Sequence, residues 1–209
     1  MKYFLLLSLI LLLCSCAANP ALDKNNLESM NVVSTQQEAR HGKILHDQAL
    51  QQLAKTQPEA YVLYEQARAA EVQGDLLTAI ELYHRAMQQA PENGFLLTSL
   101  GLAYLRNEDT IPARRYLLKA VRYDPGYYKP TLGLGYIYLQ SQQWKKAVTH
   151  LESSLQQLAT VEGTFLLGNA KEAQGDMPRA RQLYQSVVQA DGIGKLGKAA
   201  ATRLRSLSR

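Results

Sequence analysis

An all-α solenoid of paired helices is the fold the sequence predicts, and three observations predict it. Small residues recur at a fixed interval: Ala79, Ala113, Ala147 and Ala180 stand 34, 34 and 33 residues apart, and Gly101, Gly135 and Gly168 keep the same spacing. Helix-starting residues recur with them. Asp75, Asp109 and Asp176 each lie four residues before the repeating alanine, and Pro112 and Pro178 follow two of them. Asp suits an N-cap and Pro the first helical turn, so each group marks the start of a second helix. Pro91 and Pro125, twelve residues after Ala79 and Ala113, close two of the units. The third observation is composition. A chain of 209 residues with 46% hydrophobic and 20% charged side chains has enough apolar material for one sizeable core. Cysteine occurs only at Cys14 and Cys16. Beyond them there is no disulfide framework and no thiolate metal site, so the fold stands on packing.

The segments follow in order. Lys2 precedes the apolar stretch from Tyr3 to Leu13, which has the length of a signal h-region and falls short of the roughly 20 residues a spanning helix needs. Residues 1–15 are therefore read as a removable signal segment. Residues 16–42 hold few large apolar side chains and no sustained period, so they are read as a flexible tether; about 25 such residues span roughly 30 Å. Between residues 43 and 58, Ile44, Leu45, Ala49, Leu50 and Leu53 share one helical face and Pro58 closes the run. Residues 59–191 divide into four helix-turn-helix units, 60–93, 94–127, 128–160 and 161–191. Residues 192–209 form a basic capping helix with Leu196, Ala199, Ala200, Leu204 and Leu207 near one face.

A 34-residue period of two helices, with Gly or Ala at one crossing and Ala at the next, resembles the tetratricopeptide repeat. The unit 94–127 matches nearly throughout, with Leu97, Leu100, Gly101, Tyr104, Ala113, Leu117, Ala120 and Pro125. The first unit offers Leu63, Ala67, Ala79, Tyr83, Ala86 and Pro91. The third offers Leu134, Gly135, Tyr138, Ala147, Leu151 and Ser154, with Ala159 where Pro is usual. The fourth keeps Leu167, Gly168, Ala180 and Tyr184 but departs at Lys171 and Val187.

The resemblance implies a tetratricopeptide-repeat solenoid whose first helices line a concave, partner-binding face. The matching positions are Tyr61, Tyr64 and Arg68, then Phe95, Leu102 and Leu105, then Lys129, Leu132 and Tyr136, then Phe165 and Asn169. Apolar and aromatic side chains dominate them, which suits an amphipathic helix or an extended apolar segment of a client protein. Several could instead pack between repeats or beneath the helix at residues 43–57. The members that clamp chaperone tails use Lys and Asn on this face. Here only Lys129 fits, with Tyr64, Arg68, Ser99 and Gly133 at the other clamp positions, so a chaperone tail is a poor candidate.

Leu13-Cys14-Ser15-Cys16 resembles the bacterial lipobox. That resemblance implies cleavage before Cys16, acylation of Cys16, and anchoring to a membrane through several acyl chains. Cys14 is the competing acceptor, but no small residue precedes it. Ala17, rather than Asp, follows the cysteine, which implies an outer-membrane location facing the periplasm. Lipobox plus repeat array resembles the pilotin-like lipoproteins that assemble type IV and tight-adherence (Flp-type) pili. The client implied is a secretin or another pilus-assembly or secretion component. The alternative is an adaptor that recruits peptidoglycan hydrolases or synthases, and a third reading is a lipid or lipopolysaccharide carrier.

Charge and motifs bound the chemistry. Lys and Arg number 23 against 18 acids, yet Lys195, Lys198, Arg203, Arg205 and Arg209 account for the whole excess. One basic segment is weak support for nucleic-acid binding and none is expected; the cationic cap is either a solvated helix face or a contact for phosphorylated lipid or an acidic partner. Gly192-Ile193-Gly194-Lys195-Leu196-Gly197 spells G-x-G-x-x-G but follows a helix rather than a strand, so it reads as a flexible joint. His41, His46, His84 and His150 fall in no ligand spacing, and His84 and His150 are expected as solvated surface residues. No nucleophile motif or flagged carboxylate pair is present. The expectation is a non-enzyme with no cofactor, no metal and no catalytic residue.

Overall fold

A computed structural model of the chain describes residues 35–208, within a compact unit spanning Val32–Arg209. The signal segment, Cys16 and most of the expected tether lie outside the described residues. Ten helices and no strand make up the described part. They are α1 (Thr35–Thr56), α2 (Pro58–Val72), α3 (Leu76–Gln89), α4 (Gly94–Arg106), α5 (Thr110–Tyr123), α6 (Tyr128–Gln140), α7 (Trp144–Gln157), α8 (Val161–Ala173), α9 (Met177–Ala190) and α10 (Lys195–Ser206). The four pairs from α2 to α9 are the four expected units. None of these helices is long and apolar enough to cross a membrane.

Consecutive helices pack as neighbours, and α4, α6, α8 and α10 also touch one another in turn. Helices α4, α6 and α8, continued by α10, thus form an inner layer, each first helix being packed against the second helix of its own unit. The difference is written in the sequence. Helix α4 buries Phe95, Leu96, Leu97, Thr98, Leu100, Gly101 and Ala103, nearly all round its circumference. Its partner α5 buries only the stripe Ala113, Tyr116, Leu117 and Ala120 and turns its arginines outward.

The repeating glycine is a close-approach site. A Cβ at Gly101 would stand 2.8 Å from the Leu117 side chain, at Gly135 2.5 Å from Leu151, and at Gly168 2.7 Å from Tyr184. The backbone has to come this near for a large second-helix residue to lie flat across the first helix. Leu117 and Leu151 are completely buried in consequence, each contributing roughly 2 kcal/mol of apolar burial.

The turn inside each unit is periodic too. Gly74, Glu108, Gln142 and Gly175 all have left-handed backbone, with φ of 83°, 64°, 57° and 82°. Behind each, a Schellman-type bond closes the first helix: Asp75 N–H to Ala70 O, Asp109 to Tyr104, Gln143 to Tyr138 and Asp176 to Lys171, all between 2.9 and 3.0 Å. Asp75 and Asp176 then cap the second helix, accepting from the Thr78 and Arg179 backbone N–H groups. Asp109 stands at the same position without capping. Its carboxylate instead accepts from Asn107 Nδ2 at 2.6 Å.

Two boundaries differ from expectation. Helix α1 begins at Thr35, eight residues earlier than the apolar pattern at residues 43–58 indicates, because the added turns carry polar side chains with no period to reveal them. The G-x-G-x-x-G joint is packed rather than loose. The Asp191 carboxylate accepts from Gly197 N–H at 3.0 Å, and a Cβ at Gly197 would fall 1.7 Å from the Asp191 carbonyl oxygen. The place a phosphate would take at the α10 N-terminus is filled by the chain's own carboxylate.

Candidate functional site

The inner layer is not uniformly open, because α1 lies across part of it. The His46 ring sits 5.3 Å from Phe95 and 6.5 Å from Tyr64, centroid to centroid. Further along α1, a Cβ at Gly42 would stand 3.1 Å from Tyr128 Oη and 3.8 Å from Leu158 Cδ2. Under this helix Tyr64 stacks obliquely on Phe95, and Phe95 on Tyr127. Tyr64 is 2% and Phe95 6% exposed. Both are core residues, correcting their expected place in a partner-binding face; Tyr61 joins them, half-buried against the same core. The aromatic character read as a docking surface is what holds α1 in place.

Two more expected groove residues belong to the far end. Phe165 packs on Tyr184 at 5.8 Å. Asn169 Oδ1 lies 2.7 Å from the Tyr184 hydroxyl, which also reaches Glu172 Oε2 at 2.6 Å. Both are half-buried there and lie outside the open cavity.

What stays open is a cavity of about 890 Å³ on α4, α6 and α8. Leu102, Leu105, Leu132, Leu166 and Tyr136 supply its apolar walls, Arg106 and Lys129 its positive groups, and Glu108 and Glu162 its acidic ones. It communicates through Leu102, Arg106 and Lys129 with a small cleft of about 110 Å³ beside His46 and Arg68. Five of the eleven expected groove residues, Leu102, Leu105, Lys129, Leu132 and Tyr136, are thus brought together, and Arg68 borders them in the cleft.

The electrostatics centre on Glu71, which the sequence reading passed over. Its carboxylate accepts from Arg68 Nη1, from Arg106 Nη1 and, at 3.0 Å, from the Tyr83 hydroxyl. Two guanidinium groups share one carboxylate, and Lys129 pairs with no carboxylate among the described residues, reaching only the Tyr127 ring at 5.8 Å. Burial, then the repulsion of Arg68 and Arg106, hold the Lys129 pKa below the usual lysine value. His46 is pushed below its ordinary value in the same way, by burial and then by Lys129 and Arg68. The cluster is short of negative charge.

His84 and His150 are half-buried, correcting their expected solvation. His84 Nε2 is 2.7 Å from Tyr104 Oη, and its ring meets Tyr104 and Tyr116 edge-on. His150 stacks on Tyr138 at 5.2 Å. Burial lowers both pKa values, with Arg115 adding to the effect at His84 and Lys146 at His150. No group of three His, Cys, Asp or Glu side chains among the described residues is arranged to hold a metal.

Helix pairs in fixed register with an open inner groove define a helical-repeat protein-interaction scaffold. The comparisons with known proteins name the family: tetratricopeptide repeat profiles match residues 47–94, 98–160 and 164–191, and the chain belongs to the tetratricopeptide repeat family. Among solved structures it is similar to MamA from Desulfovibrio magneticus RS-1, at 18% identity with a TM-score of 0.60, covering 72% of this chain and 95% of that one. TTC0263, a tetratricopeptide repeat protein of Thermus thermophilus, gives 20% identity and a TM-score of 0.57 over 83% and 98% of the two chains. These likenesses concern the fold. A stretch of 64 residues is 44% identical to BBSome complex member BBS4 of Bos taurus, spanning 31% of this chain but only 12% of the length of that protein.

Proposed function

We propose that this protein is a non-catalytic, membrane-tethered assembly scaffold whose inner groove captures one segment of a client protein. The observation that carries the reading is the cavity on α4, α6 and α8, where four leucines and Tyr136 stand beside Lys129, which pairs with no carboxylate among the described residues. Such walls fit a helical or extended segment with apolar side chains and a carboxylate among them; the apolar anchors supply most of the affinity and the charge sets the register.

The tether in this proposal is acylated Cys16, in the lipobox-like Leu13-Cys14-Ser15-Cys16, with the protein on the outer membrane facing the periplasm. The client is a secretin or another component of a pilus or secretion machine. The joint occurrence of the lipobox resemblance and a small repeat array supports this choice. Confinement at a membrane raises the local client concentration, so the groove needs only modest intrinsic affinity.

The test is affinity purification from cross-linked native cells, comparing wild type with Leu102→Asp/Leu132→Asp/Tyr136→Asp. Tyr64 is left untouched because it is core. Recovery of a secretin or pilus component that the triple variant loses, with helicity by circular dichroism retained, is the expected result. Recovery of cell-wall enzymes in its place would overturn the choice of client, and equal recovery by the variant would overturn the groove.

A further inference from the structure

The other end of the solenoid carries a second surface. From Met177 to Arg209 the sequence has seven cations and one acid, Asp191, and the Asp191 carboxylate is already engaged by the Gly197 N–H. Three of the cations have work within the fold: Arg203 pairs with Glu172 at 3.7 Å, Arg181 donates to the Leu207 carbonyl, and Arg179 to Gln182. Lys195, Lys198 and Arg205 are exposed and pair with no carboxylate among the described residues; Arg205 donates only within α10, to Ala201 and Thr202. Spaced at i, i+3 and i+10 with Thr202 at i+7, they share the side of α10 opposite Leu196, Ala200 and Leu204, which pack on the core.

Two residues before Lys195, in the joint that leads into α10, stands Ile193. It is 92% exposed, the most exposed large apolar side chain among the described residues, and the glycines on either side leave it unshielded. A terminal helix of a repeat array has to be polar outside for solubility, and mixed charges would meet that need. A face of one sign with an apolar tip does more than meet it. We infer that the outer face of α10 docks on an anionic phospholipid bilayer, with Lys195, Lys198 and Arg205 at the headgroup phosphates and Ile193 in the acyl boundary. The cations alone would serve any polyanion. Ile193 favours the bilayer over a purely polar polyanion, because a lipid surface offers headgroup charge to the cations and an acyl boundary to an isolated apolar side chain. This surface acts independently of the groove and of acylation at Cys16.

The experiment is vesicle flotation with residues 32–209, the compact unit, which contains neither Cys16 nor the apolar leader. Vesicles of phosphatidylcholine are compared with vesicles of phosphatidylcholine and phosphatidylglycerol in equal parts. Binding is expected to the mixed vesicles only and to be released by salt. Lys195→Gln/Lys198→Gln/Arg205→Gln should weaken it about a hundredfold, at roughly fivefold per cation near such a surface. Ile193→Ser should weaken it several-fold and leave the salt dependence unchanged, and the groove triple variant should bind as wild type does. Equal binding to both vesicles, or an unaffected cation variant that still shows native helicity, would overturn the inference. So would displacement by polyglutamate or an oligonucleotide together with no effect of Ile193→Ser, which would assign the face to an acidic polymer.

Discussion

The outer and inner repeats solve the same packing problem with different chemistry. In the inner pair, Leu105 lies one period before Leu139 on the first helices, and Leu117 one period before Leu151 on the second. At the same two positions the outer repeats carry Glu71 with Tyr83 and Glu172 with Tyr184, joined by hydrogen bonds of 3.0 and 2.6 Å. The glutamates then recruit arginines, Arg68 and Arg106 at one end and Arg203 at the other. Where a repeat has neighbours on both sides, leucines fill the position and leave an apolar groove. In the outer repeats a hydrogen-bonded Tyr–Glu pair stands there instead: Glu172 reaches on to Arg203 of α10, and Glu71 reaches on to Arg106 of the next repeat. Polar pairing fixes the ends, and the middle stays free for a client.

The comparison breaks most sharply at an inner crossing. Gly135→Ala places a Cβ 2.5 Å from Leu151. The expected cost is about 3 kcal/mol, read as a lowered urea midpoint. Ala67→Gly, the reverse change at the equivalent outer position, should cost about 1 kcal/mol.

Next comes the outer pair. Glu71→Leu strands the Tyr83 hydroxyl and removes a buried, charge-assisted acceptor, an expected loss of about 2 kcal/mol. Both arginines are about half exposed, so little of that loss comes from the ion pairs. Adding Tyr83→Leu recreates the inner-repeat pair and should recover part of the stability. A double-mutant cycle by urea denaturation measures the coupling; strict additivity would show that the Tyr–Glu pair is not a unit.

Acid should weaken the fold through three histidines. His46, His84 and His150 all have folded pKa values below 6.5, chiefly through burial. Below about pH 6.5 the unfolded chain takes up protons that the folded chain refuses. Stability from these groups is therefore complete above that pH and declines as pH falls through it toward the folded values. Urea midpoints measured from pH 7.5 to 5 should show the decline, and His84→Phe/His150→Phe should flatten it. The smallest effect concerns the turns. Glu108→Gly and Gln142→Gly should each stabilise the fold by about 0.5 kcal/mol by relieving left-handed backbone, whereas Gly74→Ala should destabilise it by about 1 kcal/mol.

The register of the solenoid was legible because it rests on residues that cannot vary much: Ala79, Ala113, Ala147 and Ala180 lie at crossings where only a small side chain fits. The groove was legible only in its middle. Tyr64 and Phe95 occupy positions that line the concave face of a plain repeat array, and nothing in their own surroundings announces that α1 will cover them. The turns of α1 before Lys43 are polar and have no apolar period to read. The Tyr–Glu pairs were recoverable, since Glu71 with Tyr83 and Glu172 with Tyr184 stand three periods apart. They were missed because unit-by-unit matching treats each departure from pattern as noise. His84 and His150 were misplaced for a related reason: a second-helix position that reads as solvent-facing lies against tyrosines here, Tyr104 and Tyr116 of the next repeat for His84 and Tyr138 of its own repeat for His150.

The most direct test of the central claim, that the inner repeats present the client site, uses two tyrosines of similar exposure. Tyr136 lines the groove and is 37% exposed; Tyr123 stands at the end of α5, outside it, and is 43% exposed. A photo-crosslinking phenylalanine analogue is placed at each in turn, cells are irradiated, and the adducts are identified by mass spectrometry. The account predicts one recurrent protein adduct from position 136 and none of that adduct from position 123. The same adduct from both positions, or from position 123 alone, would contradict it.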